Sequence, residues 1–271
     1  MKELLNTAHR GASAYAPENT FAAFDLALAL GAQAIELDVR QTRDGVLVVM
    51  HDDTIGRTLS GPFAPATPVR SLTWSEIARL DAGTWFNESH ASRARPEFSD
   101  ARVPRLEDVF SRYANDISCF IELKQCVPTT SMEDEIVRLV RRHGVANNVL
   151  VGAFSQRSLQ RIHGLERSVG LIQLFHSYAT SSAIRAYLEA LPAYCTGIGP
   201  CKSQVEHRLV SAADRSGLGV FTWTVNEPHE MIDLIELGVR GIITDYPDVL
   251  DDVQVRAAVS TRPPPFEAAA A

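Results

Sequence analysis

The sequence predicts an α/β fold, a (β/α)8 TIM barrel with a small subdomain inserted after its second strand. Three observations lead there. Short β-branched runs alternate with amphipathic stretches, which is the pattern of βα units on a parallel sheet. Eight such runs are present, and no G-x-G-x-x-G follows the first, as it would in an open dinucleotide-binding sheet. The 271 residues, 45% of them apolar, suit an α/β barrel, which routinely runs to about 250 residues as one domain.

The first strand spans Leu4–Ala8. Thr20 can cap the helix after it, Phe21, Phe24 and Leu28 recur at helical spacing, and Gly31 suits the position just past its end. The second strand is Ala34–Val39. Thr42-Arg43-Asp44-Gly45 and the run Val46–His51 follow at once, leaving no room for a parallel crossover, so Val46–His51 is an antiparallel return strand outside the eight. Asp44-Gly45 reads as a two-residue hairpin turn, which would set His51 directly across from Asp38. Residues 53–103, with Phe63, Trp74, Trp85 and Phe86 and a short helix over Ser75–Leu80, form the inserted subdomain.

A helix over Leu106–Ala114 returns the chain to the barrel. The third and fourth strands are Ser118–Lys124 and Val149–Phe154, the latter followed by a helix capped by Ser155 that runs through Ile162 and stops before Gly164. Strands five, six and seven are Val169–Phe175, Tyr194–Gly199 and Gly219–Val225. Pro228 opens a helix ending at Leu237 before Gly238, Gly241–Thr244 is the eighth strand, and Pro247 opens the last helix. Residues 1–259 are therefore one domain. The tail 260–271, with three consecutive prolines and a closing alanine run, is expected to be disordered.

A net charge of −7, from 26 basic and 33 acidic residues, argues against a nucleic-acid partner, whose affinity rests on cations. The N-terminus has no signal-like apolar segment and no apolar run reaches the ~20 residues of a membrane span, so a cytoplasmic protein without integral membrane association is expected. Cys119, Cys126, Cys195 and Cys201 include no Cys-x-x-Cys pair and read as buried thiols.

Strand alternation places unusual charges inside the barrel. In Ile35-Glu36-Leu37-Asp38-Val39 the apolar residues share the face toward the helices, and the two carboxylates share the other. The same spacing turns Glu122 and Lys124 inward from the next strand. Three crowded carboxylates repel one another unless a cation joins them, and oxygen donors without cysteine point to one hard divalent cation, Mg2+ or Ca2+. The competing reading is a buried Glu–Lys ion pair. His9 follows the first strand and, with His51, brings two imidazoles to the same mouth, suited to acid–base work. Arg10 and Lys124 add cations suited to a phosphate. His90, His143, His163, His176, His207 and His229 have no comparable setting and read as surface or packing residues.

These residues fall in an ordered series: Ala8-His9-Arg10-Gly11, Pro17-Glu18-Asn19-Thr20, Glu36-Leu37-Asp38-Val39, Asp44-Gly45, His51-Asp52 with Arg57-Thr58, Ile121-Glu122-Leu123-Lys124, Trp223-Thr224-Val225-Asn226 and Gly241-Ile242-Ile243-Thr244-Asp245. In order and spacing the series resembles the glycerophosphodiester phosphodiesterases, from Thr7 to Val249. Leu80-Asp81-Ala82-Gly83-Thr84-Trp85-Phe86 also fits that family's small subdomain. The resemblance implies a metal-dependent enzyme that hydrolyses deacylated phospholipids, such as glycerophosphocholine, to glycerol 3-phosphate and an alcohol. It implies Glu36, Asp38 and Glu122 as metal ligands, His9 and His51 as the acid–base pair, Arg10 and Lys124 on the phosphate, and Trp223 walling the glycerol side. Only a small-molecule phosphodiester is implied as partner. Lysophospholipase D or sphingomyelinase D-like chemistry on the same barrel is the alternative. The choice of acid and base, the identity of the attacking hydroxyl, the head group and the oligomeric state are not encoded in these motifs.

Overall fold

Eight parallel strands hydrogen-bond into a closed ring in the computed structural model, which describes residues 4–124, 132–177, 188, 191 and 194–260. They are β1 (Leu5–Ala8), β2 (Ala34–Gln41), β4 (Ser118–Leu123), β5 (Val149–Ala153), β6 (Gly170–Phe175), β7 (Gly197–Pro200), β8 (Gly219–Thr222) and β9 (Gly241–Thr244). The remaining strand, β3 (Leu47–Val49), runs antiparallel to β2. Every expected barrel strand is present, and pairing of Thr7 with Ala34 and Ala8 with Ile35 closes the ring.

β2 is the longest strand because it serves more neighbours than the others. One edge pairs with β4 along Ala34–Val39. The opposite edge pairs first with β1 and then, from Val39 onward, with β3. The barrel is thus parallel and closed at its base, while β3 leads the chain away at the mouth.

Alternation sorts the side chains of each strand. Ile35, Leu37, Val39, Cys119, Ile121 and Leu123 lie in the buried layer against the helices. Phe120, Ile172, Leu174, Phe221 and Ile243 fill the barrel interior. Glycines opposite these large groups make the filling possible: a Cβ on Gly199 would lie 2.4 Å from Leu174, and one on Gly152 would lie 2.9 Å from the Phe120 ring. A packed interior leaves the chemistry to the mouth, where strands end and loops begin.

The helices follow their sequence signals. Thr20 caps α1 (Phe21–Ala29) by accepting from the Ala23 amide, and Phe24 is fully buried. In the insert, α2 (Trp74–Ile77) starts slightly earlier than expected, with Thr73 and Glu76 forming a capping box, and α3 (Thr84–Ser89) follows. Leu106–Tyr113 is α4 and Met132–His143 is α5. Ser155 caps α6 (Gln156–Leu165), which runs through Gly164 because its hydrogen-bonding continues to Glu166, whose amide donates to Ile162. His207–Arg215 is α7, Pro228–Leu237 is α8, ended by left-handed Gly238, and Pro247–Ser260 is α9. Ser260, expected to begin the tail, closes this last helix; residues 261–271 lie outside the described residues, as does Cys126. Cys119 and Cys195 are buried free thiols and Cys201 is half-buried.

The hairpin register differs by one residue from the two-residue reading. Thr42 and Val46 close a three-residue loop, with the Thr42 amide donating to Val46 O at 3.0 Å and Gly45 at φ 85°. The Thr42 hydroxyl decides it, donating to Asp44 Oδ1 at 2.6 Å and accepting from the Val46 amide at 3.0 Å. Val39 therefore faces Val49, and the residue whose amide bonds Asp38 O is Met50, at 2.9 Å, not His51. β3 ends at Val49, so His51 escapes strand alternation and reaches the mouth from a bend.

The insert has its own core of Val48, Met50, Ile55, Leu59, Leu72, Ile77 and Leu80. A second cluster, Phe86 and Phe98 against Ala16 and Ala23, fastens it over the loop between β1 and α1. Among the described residues no helix is long and apolar enough to cross a membrane.

Candidate active site

The C-terminal ends of β1, β2 and β4 meet at one side of the mouth, and the charges placed there by alternation do converge. Glu36 and Asp38 are 2% and 1% exposed, and one oxygen from each, with one from Glu122, lie within 4.8 Å of one another. Burial, together with the charge of Asp38, pushes the Glu36 carboxyl up to about 8. Burial would raise Asp38 as well, but Arg10 and Lys124 outweigh it and hold its carboxyl below the usual range. The contacts agree: Lys124 Nζ lies 3.2 Å from Asp38 Oδ1 and 2.5 Å from Glu122 Oε1, and Arg10 Nε lies 3.2 Å from Asp38 Oδ2. Lys124 thus bridges two members of the cluster, as the ion-pair reading requires. Glu36 accepts from the Arg10 main-chain amide at 2.9 Å.

A sharp turn after β1 makes this geometry possible. Arg10 (φ 56°) and Gly11 (φ 81°) are both left-handed, a conformation that is costly for a long side chain and concentrates at functional sites. A Cβ on residue 11 would sit 2.6 Å from the Ala23 backbone, so only glycine fits. The turn aims the Arg10 amide at Glu36 while its guanidinium donates to Glu18 Oε1 at 2.8 Å. Asn19, also left-handed (φ 57°), donates through Nδ2 to Asp38 Oδ2 at 2.8 Å.

Each imidazole leans on a carboxylate, and the two carboxylates differ. His9 Nδ1 is 2.6 Å from Asp245 Oδ1, and Asp245 also accepts from Ser13 Oγ (2.8 Å) and Asn226 Nδ2 (2.7 Å), both neutral. Burial alone would lower the His9 pKa, but the Asp245 hydrogen bond and the charge of Glu36 carry it above the ordinary value. His51 Nδ1 is 2.7 Å from Asp52 Oδ1, but Asp52 is already neutralised by Arg57, whose Nε lies 2.6 Å from Oδ2. Burial and nearby Arg10 lower His51, against the opposing pull of Asp38 and Asp52. Arg57 also donates twice to Glu18, at 2.7 and 2.8 Å, which ties the His51 side of the mouth to Arg10.

Trp223 stands farther round the mouth, past the end of β8, its indole Nε1 donating to Gly199 O at 2.9 Å. Its ring meets Phe154 at 6.0 Å and His176 at 5.4 Å between centroids, and those two rings stack at 4.5 Å. His176 is thus a packing residue at the mouth. Asp245, Asp52, Glu18, Asn19, Arg57 and Asn226 were not assigned from the sequence, although all lie in the motif series; a partner such as Asp245, 236 positions from His9, leaves no spacing signal.

The family profile of the glycerophosphoryl diester phosphodiesterases matches residues 9–249. The chain belongs to this family. Glycerophosphodiester phosphodiesterase of Bacillus subtilis is 34% identical over 257 residues, which is 93% of this chain and 86% of the relative. A crystal structure of the Agrobacterium tumefaciens glycerophosphodiester phosphodiesterase is 30% identical with a TM-score of 0.75, covering 93% of this chain and all of that one. An Oleispira antarctica phosphodiesterase solved in complex with the product sn-glycerol-3-phosphate is 26% identical with a TM-score of 0.80, covering 93% and 97% of the two chains. This glycerophosphodiester phosphodiesterase is accordingly a phosphoric diester hydrolase on a TIM barrel.

Proposed function

We propose that the enzyme cleaves the deacylated phospholipids at this mouth to glycerol 3-phosphate and an alcohol, using one divalent cation and two imidazoles. The observation that carries the reading is the carboxylate cluster flanked by two histidines, each hydrogen-bonded to its own acid. The donor set fits a cation: three oxygens lie close together, and burial with the charge of Asp38 disfavours the ionised form of Glu36, a strain that added positive charge relieves. Glu36, Asp38 and Glu122 would hold Mg2+ or Ca2+, which when bound supplies Lewis acidity toward a phosphate oxygen and offsets the crowded charge.

The protein's own groups divide the remaining work. Arg10 and Lys124 hold the anionic phosphate and stabilise charge that builds on its oxygens. His51, kept neutral by burial and Arg10, takes the proton of the attacking hydroxyl. His9, whose charged form the Asp245 hydrogen bond favours against burial, gives its proton to the oxygen of the departing alcohol as the P–O bond breaks. Trp223 walls the glycerol side of the pocket. The protein acts on a small phosphodiester and works in the cytoplasm without entering a membrane.

The test is a comparison of glycerophosphocholine with lysophosphatidylcholine, with and without Mg2+ or Ca2+, reading released glycerol 3-phosphate and choline. Hydrolysis of the deacylated ester with added cation is expected. Preference for the acylated ester would replace this reading by the lysophospholipase D alternative.

A further inference from the structure

The two chains that flank β2 leave it at different rungs. On one edge the Lys124 amide bonds Val39 O at 3.1 Å, and on the other the Met50 amide bonds Asp38 O at 2.9 Å. The carbonyls of Lys124 and, one residue past Met50, of His51 stand where the neighbours part from β2. Arg40, the residue after Val39, reaches both: Nε donates to His51 O at 2.7 Å and Nη1 to Lys124 O at 3.3 Å.

We propose that Arg40 is a positioning residue for the hydrolysis, acting through His51 and Lys124 at once. Its place on β2 explains how. Arg40 follows Glu36 and Asp38 at the same two-residue spacing, so it stands at the mouth directly above the carboxylate pair. A guanidinium is planar and rigid, and its donors point in fixed directions, so bonds to two carbonyls fix two backbone points in one plane. One of those points carries the imidazole assigned to proton removal, and the other carries the ammonium assigned to the phosphate. Arg40 therefore sets the span between base and phosphate across β2 through the two backbone points it holds. A lysine keeps the charge but not the fork, and can serve one carbonyl well and not both.

This inference rests on the roles given to His51 and Lys124, and the experiment separates the two. Arg40→Ala, Arg40→Lys, His51→Ala, Lys124→Ala and the doubles of Arg40→Ala with each of the latter are compared for kcat and KM on glycerophosphocholine, with folding followed by circular dichroism and melting. Misplacement of a reacting group by a distant change can cost up to about 10²-fold, and a loss of that order is expected in Arg40→Ala, as lower kcat through His51 and higher KM through Lys124. In the His51→Ala background the kcat loss should largely vanish, and in the Lys124→Ala background the KM rise should. Arg40→Lys should restore one parameter and not both.

Losses that simply multiply in both doubles, or full restoration by lysine, would overturn the proposal. So would values for Arg40→Ala within about twofold of the parent. Full activity in His51→Ala and Lys124→Ala would instead sink the assigned roles. The positioning itself is then still read by the His51 imidazole and Lys124 ammonium NMR signals, which should both move in Arg40→Ala; unmoved signals would refute it.

Discussion

Asp245→Asn keeps the size of the side chain beside His9 and removes its charge. The contact is short, 2.6 Å, and the two side chains are 19% and 27% exposed, so solvent screens it only in part. A hydrogen bond to a charged group contributes about 1.5–3 kcal/mol. At about 1.4 kcal/mol per tenfold, the imidazolium form of His9 should lose roughly 10- to 100-fold of its advantage over the neutral ring. The sign follows from the direction of the shift: Asp245 holds the His9 pKa above its ordinary value, so Asn lets the proton go at lower pH. If His9 is the acid, activity falls as it deprotonates, and the alkaline limb of kcat/KM against pH should move to lower pH. If His51 is the base, the acidic limb should stay. The pair also contributes to folding where His9 is charged and Asp245 ionised, a contribution lost as pH rises through the folded His9 pKa. The melting temperature of Asp245→Asn should thus fall most at mildly acidic pH, above the value of about 2 to which Asp245 is lowered, burial raising it but the His9 hydrogen bond and charge outweighing burial. An alkaline limb that does not move, in an enzyme that still needs His9, would refute the acid assignment.

His9→Ala and His51→Ala should fold normally and each lose about 10²-fold or more in turnover; full activity in both would remove the acid–base pair. Glu122→Gln should weaken cation affinity, measured by titration calorimetry, and EDTA should stop the reaction; turnover that survives complete chelation would end the metal reading. Phe86→Ala empties the fully buried centre of the cluster beneath the insert and should destabilise by about 3–5 kcal/mol, seen as a lower denaturation midpoint. An unchanged midpoint would mean that the insert is not fastened there.

The barrel was legible because each strand obeys alternation, and the carboxylates were legible because Glu36, Asp38 and Glu122 interrupt it. Charged residues on an inward row have few explanations, so the pattern reaches chemistry directly. The hairpin was less legible: Asp44-Gly45 is the residue pair of a two-residue turn, but the Thr42 hydroxyl stabilises a three-residue loop, and local side-chain bonding prevailed. Similarly, Gly164 looked like a stop, but helix continuation costs only about 1 kcal/mol at a glycine, and Ile162 at 0% exposure anchors the turn. Partners contributed from distant strands, such as Asp245 for His9, or from the tip of the same strand, such as Arg40, depend on tertiary placement that no spacing encodes.

β2 gives its lower half to β1 and its upper half to β3, and the insert begins and ends almost at one point. Val48 bridges Arg105, and the Val49 amide donates to Pro104 O at 2.9 Å. The ring of eight strands therefore closes without the departing segment, which returns to where it left. An excursion attached in this way can lengthen, shorten or be exchanged between enzymes while the ring keeps its own hydrogen bonds. His51, just beyond the exit, belongs to both parts, since its carbonyl is held by Arg40 of the ring while its imidazole bonds Asp52 of the insert side.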